Sequence, residues 1–212
     1  MALCVLVTRL VAVPESSNAV TQYVRALESS YRDVKTLRAE FTQTHVWGGR
    51  TRVESGTVFF ARGGLMRWDY RDPKPKLFLS NRKESLLYVP EEKQATRSPV
   101  KSSEDVRVPF RLLLSRLDLN KIFSKIEFSE IPPKGQSPDR VLRAIPRRGQ
   151  QEAYTEVLIQ VTPEFNIRRL VVSYPDHSRM EFDFDHIGRN VQLNPELFRF
   201  EPPPGTGVIK QP

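Results

Sequence analysis

Between Val20 and about Leu37, apolar side chains recur at Val20, Tyr23, Val24, Leu27, Tyr31 and Val34 with neither Gly nor Pro among them. Steps of three and four residues predict an amphipathic helix there. Asn18 stands just ahead of it, a residue type that accepts a hydrogen bond from the first helical turn. From Phe41 the period changes to two. Short alternating segments follow at Thr57 to Arg62, Leu65 to Tyr70, Lys76 to Ser80 and Ser85 to Val89. Gly63-Gly64, Asp72-Pro73-Lys74-Pro75 and Asn81-Arg82-Lys83 separate them. These separators are too short for crossover helices, so they predict an antiparallel meander.

Pro109 breaks the alternation, and Phe110, Leu113, Leu114 and Leu117 then fall on one stripe of a short helix, with Pro109 suited to its first position. Alternation resumes in Lys125 to Glu130, Arg140 to Ile145, Tyr154 to Val161, Ile167 to Tyr174, Ser178 to Ile187 and Leu197 to Phe200. The whole reads as a mainly β chain of about ten or more strands with two or three helices. So many antiparallel strands in one domain close into a barrel or fold into a sandwich. Helices left over cover an open face or mouth and protect an apolar interior suited to an apolar ligand.

Composition narrows the class. With 212 residues, 39% hydrophobic and 27% charged, the chain has the profile of one folded domain. The net charge of +8 is dispersed along the sequence, its tightest clusters being Arg143 with Arg147 and Arg148, and Arg168 with Arg169. Nucleic-acid binders concentrate their cations on one element, so solvated strand ends and loops are the plainer reading, with contact to anionic lipid headgroups the functional remainder. Cys4 is the single cysteine, which excludes an internal disulfide and a zinc site of Cys/His spacing. No apolar run approaches the roughly 20 residues of a membrane span. Residues 1–19 read as a truncated or weak signal peptide, apolar from Ala2 to Val13, interrupted by Arg9 and followed by Ser17-Asn18-Ala19 as a cleavage site. Cleavage after Ala19 leaves residues 20–212 as a single exported domain without cysteine.

The order Phe41-Thr42-Gln43, Ser55-Gly56-Thr57-Val58, Arg62, Arg67-Trp68-Asp69-Tyr70 and Pro73 is distinctive. It continues through Ser80-Asn81, Lys83, Leu86-Leu87-Tyr88-Val89-Pro90, Glu92 to Thr96 and Pro109-Phe110, and ends in Phe198-Arg199-Phe200-Glu201-Pro202-Pro203 with Gly205 and Val208. In this order the chain resembles the outer-membrane lipoprotein carrier family, LolA, from roughly Tyr23 to Val208. The resemblance implies an unclosed antiparallel β-barrel, a half-barrel lidded by short helices around an apolar cavity. It also implies a periplasmic carrier, monomeric and without cofactor, that takes the acyl chains of lipoproteins from an ATP-driven, LolCDE-like ABC-type complex of the inner membrane. Delivery is then to a LolB-like receptor at the outer membrane.

By motif position, the family's barrel arginine, which bonds to the lid in the empty form, corresponds to Arg62. Parity along the strands sets Val58 and Phe60 inward with Arg62, and Met66, Trp68 and Tyr70 on a shared face. Together with Phe78, Leu27 and Tyr31 these are the expected acyl-chain cavity, and Phe110, Leu113, Leu114 and Leu117 the underside of the lid. The sequence departs from the family at Gly63, where Pro is usual, and near Asn81-Arg82, where a hairpin glycine is missing.

No catalytic constellation competes with this reading. A nucleophile elbow and a phosphate-cradling glycine loop are both missing. The three histidines, His45, His177 and His186, have no second ligand at metal spacing. Glu181-Phe182-Asp183-Phe184-Asp185-His186 is the nearest to a metal site. Read as a strand it sets Met180, Phe182, Phe184 and His186 on one face and the three acids on an exposed one. Rival readings are the LolB receptor, carriage of another lipid, and a periplasmic lipid-sensing regulatory module on the same fold.

Overall fold

The computed structural model describes residues 15–81, 83–99, 118–135, 137–149 and 153–211. Its first element is helix α1 (Glu15–Tyr31). A meander of six strands follows: β1 (Thr36–Trp47), β2 (Arg50–Ala61), β3 (Leu65–Asp72), β4 (Lys76–Ser80), β5 (Glu84–Val89) and β6 (Gln94–Pro99). The single-turn helix α2 (Leu119–Ile122) leads into β7 (Phe123–Phe128), β8 (Arg140–Pro146), β9 (Glu156–Val161), β10 (Ile167–Ser173) and β11 (Arg179–Arg189). A 3-10 helix (Pro195–Phe198) and β12 (Gly207–Lys210) complete it.

The described strands form one sheet in the order β12-β6-β5-β4-β3-β2-β1-β11-β10-β9-β8-β7. All pairings are antiparallel except β12 with β6. β12 and β7 are the two ends and do not pair with each other, so the sheet curls without closing. This is the mainly β, unclosed architecture expected. The expected helix of Phe110, Leu113, Leu114 and Leu117 lies outside the described residues.

Helix α1 covers the concave face. Val20, Val24, Leu27 and Tyr31 recur on one side of it and are all buried in the same cluster as inward residues of the sheet. Two boundaries differ from the sequence pattern. Asn18 is inside the helix rather than at its cap, its Oδ1 accepting from Gln22 Nε2 at 3.2 Å. At the other end the helix stops at Tyr31 instead of running to Leu37. The backbone of Lys35 and Thr36 is taken by the sheet: Arg62 N donates to Lys35 O at 2.9 Å, and Asn190 N to Thr36 O at 2.8 Å. Val34 and Leu37 remain buried, so tertiary pairing changed the element without changing which side chains enter the core.

The segment Leu197 to Phe200 is likewise not a strand. Asn194 Oδ1 accepts from Glu196 N at 3.0 Å and Pro195 occupies the first position, a local capping arrangement that starts the 3-10 turn. Phe198 is thereby buried against the convex side of the sheet, where Arg67 Nη1 donates to Leu197 O at 2.9 Å.

Candidate functional site

The concave face carries a continuous apolar lining. Register aligns Phe60 with Met66, Val58 with Trp68, and Trp68 with Phe78, so residues from three strands stack across one face. Val58, Phe60, Met66, Trp68, Tyr70 and Phe78 are all buried, and Leu27 and Tyr31 of α1 lie in the same cluster. Trp68 is its centre: its ring meets Phe41 at 4.7 Å, Phe60 at 5.9 Å and Phe182 at 5.5 Å. Edge-on and tilted contacts of this kind are favourable for aromatic pairs. The structure thus brings every cavity residue expected from the sequence into one buried cluster. Among the described residues, Tyr31, Leu37, Ala39, Phe60, Ile167, Phe184 and Ile187 line one space of about 10 Å³. That is room for about one water molecule.

The C-terminal end of α1 is held by two arginines. Arg62, just past β2, donates through Nε to Val34 O at 3.1 Å and through Nη2 to Arg32 O. Helix-end carbonyls lack intrahelical partners, and a guanidinium satisfies them while complementing the negative end of the helix dipole. From the other half of the sheet, Arg189 at the end of β11 donates to Ser30 O at 3.4 Å and to Phe165 O. Its guanidinium lies 4.3 Å from the centre of the Tyr31 ring. Tyr31 Oη in turn accepts from Ile167 N at 3.1 Å, and burial raises its hydroxyl pKa. Arg189 Nε is buried with no partner among the described residues. Sequence reasoning missed Arg189 because a lone arginine at a strand end carries no periodic signal.

Away from this end, the lining turns polar. Tyr70 Oη donates to Gln43 Oε1 at 2.6 Å, Lys76 Nζ reaches Glu54 Oε1 at 2.6 Å, and the same ammonium lies 4.3 Å from the Tyr70 ring centre. Gln43 and Glu54 are buried partners across β1 and β2.

The acid run on β11 departs from its expected solvated face. Glu181 is buried, with Arg169 Nη2 at 2.8 Å and Lys134 Nζ at 2.8 Å, and Lys134 also reaches Asp183 at 2.6 Å. The loop that carries Lys134 thus covers this part of the sheet. Burial acts to raise the Glu181 pKa, but hydrogen bonds and charge from Arg169 and Lys134 outweigh it and bring the carboxyl from 4.5 down to about 2. Asp183 is raised by burial and by repulsion from Glu181, against the pull of Lys134. His186 does not follow Phe184 inward. Arg38 pairs with Gly188 and Glu40 with Asp185, so β11 carries a bulge at His186 and Ile187. His186 adopts φ of 50° and is exposed, and Ile187 packs on the core instead. Among the described residues no group of His, Cys, Asp and Glu could hold a metal ion, and no helix is long and apolar enough to cross a membrane.

Comparison with known proteins is consistent across sequence and fold. The family model of the outer membrane lipoprotein carrier protein LolA matches residues 32–201. An outer-membrane lipoprotein carrier protein of Nitrosospira multiformis is 28% identical over 191 residues, covering 89% of this chain and 88% of that protein. Its counterpart in Coxiella burnetii is 27% identical over 202 residues, covering 94% and 90%. Among solved structures, an uncharacterized conserved protein of Thermus thermophilus superposes with a TM-score of 0.56 at 10% identity, over 90% of this chain and 99% of that one. That likeness is one of fold.

Proposed function

The chain belongs to the family of the outer membrane lipoprotein carrier protein LolA, and from that premise we propose that it is a periplasmic carrier that shields the acyl chains of lipoproteins between two membranes. The observation that carries the reading is the continuous apolar lining under α1, from Leu27 and Tyr31 to Trp68 and Phe78. Each methylene kept from water is worth about 0.8 kcal/mol, so an acylated protein crosses an aqueous space only inside such an enclosure. Nothing catalytic is required of the chain.

The Arg62 bonds to the end of α1 support reading this conformation as the empty state. Acyl chains enter by displacing packed side chains, which separates α1 from the sheet and opens the Arg62 bonds to Arg32 O and Val34 O. Charge-assisted bonds of this kind contribute about 1.5–3 kcal/mol each when formed. They favour the empty form and so offset part of the gain from burying lipid, and a carrier that must surrender its cargo needs such an offset. Arg62 is the latch in this scheme. The donor is an ABC-type complex of the inner membrane and the acceptor a receptor at the outer membrane.

The test is to mix the purified protein with detergent-solubilised triacylated lipoprotein, remove the detergent, and separate the products by size. A soluble complex with the acylated form and none with the same protein lacking acyl chains is the expected result. Binding of free lipid without any lipoprotein complex would instead make this a carrier or sensor of another lipid.

A further inference from the structure

The hairpin of β1 and β2 runs on beyond its neighbours. The last pairing of β2 with β3 is Ser55 with Asp72, which leaves Arg50 to Glu54 overhanging on that side. The last pairing of β1 with β11 is Val46 with Arg179. The tip, from Thr44 to Val53, contains Trp47, Val53, Arg50 and Arg52 and no acidic residue. Arg50 and Arg52 are exposed, as is Arg179 beside them, and Val53 is 52% exposed. Trp47 is half-buried, stacked on His45 with ring centres 4.4 Å apart.

We propose that this hairpin tip is a membrane-contact element, which seats the protein on the anionic headgroups of a bilayer. Three features favour a bilayer. Tryptophan beside arginine is the pairing that partitions to the headgroup layer, with the ring at its apolar boundary and the cation among phosphates. The local charge is of the right sign: Arg50, Arg52 and Arg179 are exposed, while the nearby Glu54 is already paired with Arg52 and Lys76, and Asp176 accepts from Ser178 N at 2.9 Å. Finally, the turn is bare, with nothing within 4 Å of the position a side chain would take on Gly48 or Gly49, so it can approach a flat surface.

The geometry gives the contact a direction. Trp47 pairs with Arg50 and His45 with Arg52, in line with Gln43 and Glu54 of the concave face. Docking at the tip therefore sets the lip of the half-barrel against the lipid surface, at the far end of β2 from Arg62. This contact does not depend on what the interior carries.

The experiment uses the purified protein and vesicles of phosphatidylcholine with and without phosphatidylglycerol, read by co-sedimentation and tryptophan fluorescence. Trp68 is fully buried, so a change on vesicle addition reports Trp47. We expect sedimentation and a blue shift with the anionic vesicles only. Each arginine in the headgroup layer is worth about 1 kcal/mol, or about fivefold in partitioning. Arg50→Glu with Arg179→Glu therefore lowers partitioning by at least about tenfold at unchanged near-ultraviolet circular dichroism, and Trp47→Ser removes the blue shift. Lys83→Glu with Arg148→Glu, the same charge change at exposed sites elsewhere, leaves binding unchanged. Absence of binding to anionic vesicles overturns the proposal. So does an equal loss in the Lys83 and Arg148 variant, which would mean diffuse attraction to net charge.

Discussion

Gly56 lies between Phe41 on one side and Tyr70 on the other, and the rings of those two residues meet over it at 4.9 Å. The register of β2 with β3 slips between Ser55 and Gly56, and the slip draws the backbone of β3 close. A Cβ on Gly56 would stand 2.0 Å from Asp69 O and 2.9 Å from Tyr70 Cα. These neighbours are backbone and cannot swing aside. We expect Gly56→Ala to cost about 3 kcal/mol or more, measured as a shift in the urea midpoint with unchanged slope. The Ser55-Gly56-Thr57-Val58 motif was visible in the sequence, but its reason is a three-strand contact that no local pattern encodes. Arg62 was legible through its place in a motif. Arg189 was not, although it touches Tyr31, Ser30 and Phe165 at once. Replacing it by Met leaves the Ser30 and Phe165 carbonyls without this donor and removes the cation from the Tyr31 ring. We expect a loss of about 1–3 kcal/mol in thermal or chemical unfolding. Under the carrier proposal, cargo is also held longer, because the empty state is the one weakened.

At the scale of elements, alternation located eight of the twelve described strands to within about two residues, but it caught only the second half of β2 and set no bounds for β1, β6 and β12. Apart from Leu197 to Phe200, where local capping by Asn194 starts a 3-10 turn, the departures within these elements share one cause: long-range partners overrode local preference. Lys35 and Thr36 were drawn into β-type pairing, and β11 took a bulge that turns His186 out and Ile187 in. The acidic face of β11 was misjudged for the same reason. Lys134 arrives from a distant loop to share Glu181 and Asp183. Because the Glu181 carboxyl is lowered from 4.5 to about 2, its ion pairs stabilise the fold fully above pH 4.5 and are lost as pH falls toward 2. Asp183, raised in the fold, works in the opposite sense: its charged form is disfavoured, so protonation relieves part of the acid effect. We expect Glu181→Gln to flatten the decline of the urea midpoint between pH 4.5 and 2 relative to the parent, and an unchanged slope of decline would remove Glu181 from the acid response.

For the molecule as a whole, twelve described strands curl around α1 without joining β12 to β7. A closed barrel of fixed girth would have to hold its ligand in a permanent cavity. An open sheet can exchange its own packed side chains for acyl chains by moving one helix. The sequence foretold the apolar residues of the interior and left undetermined whether they enclose space or fill it, because inward parity is the same in both cases. Under the carrier proposal, the guanidinium bonds at the end of α1 give the chain two states: closed and empty, or open and loaded. Its most direct test is to incubate the purified protein with spheroplasts carrying labelled triacylated lipoproteins, with Arg62→Leu alongside. The account predicts release of lipoprotein by the parent as a soluble one-to-one complex that passes its cargo on to outer membranes, and a variant that takes cargo but retains it. No release by the parent, or a variant that delivers as readily as the parent, would contradict it.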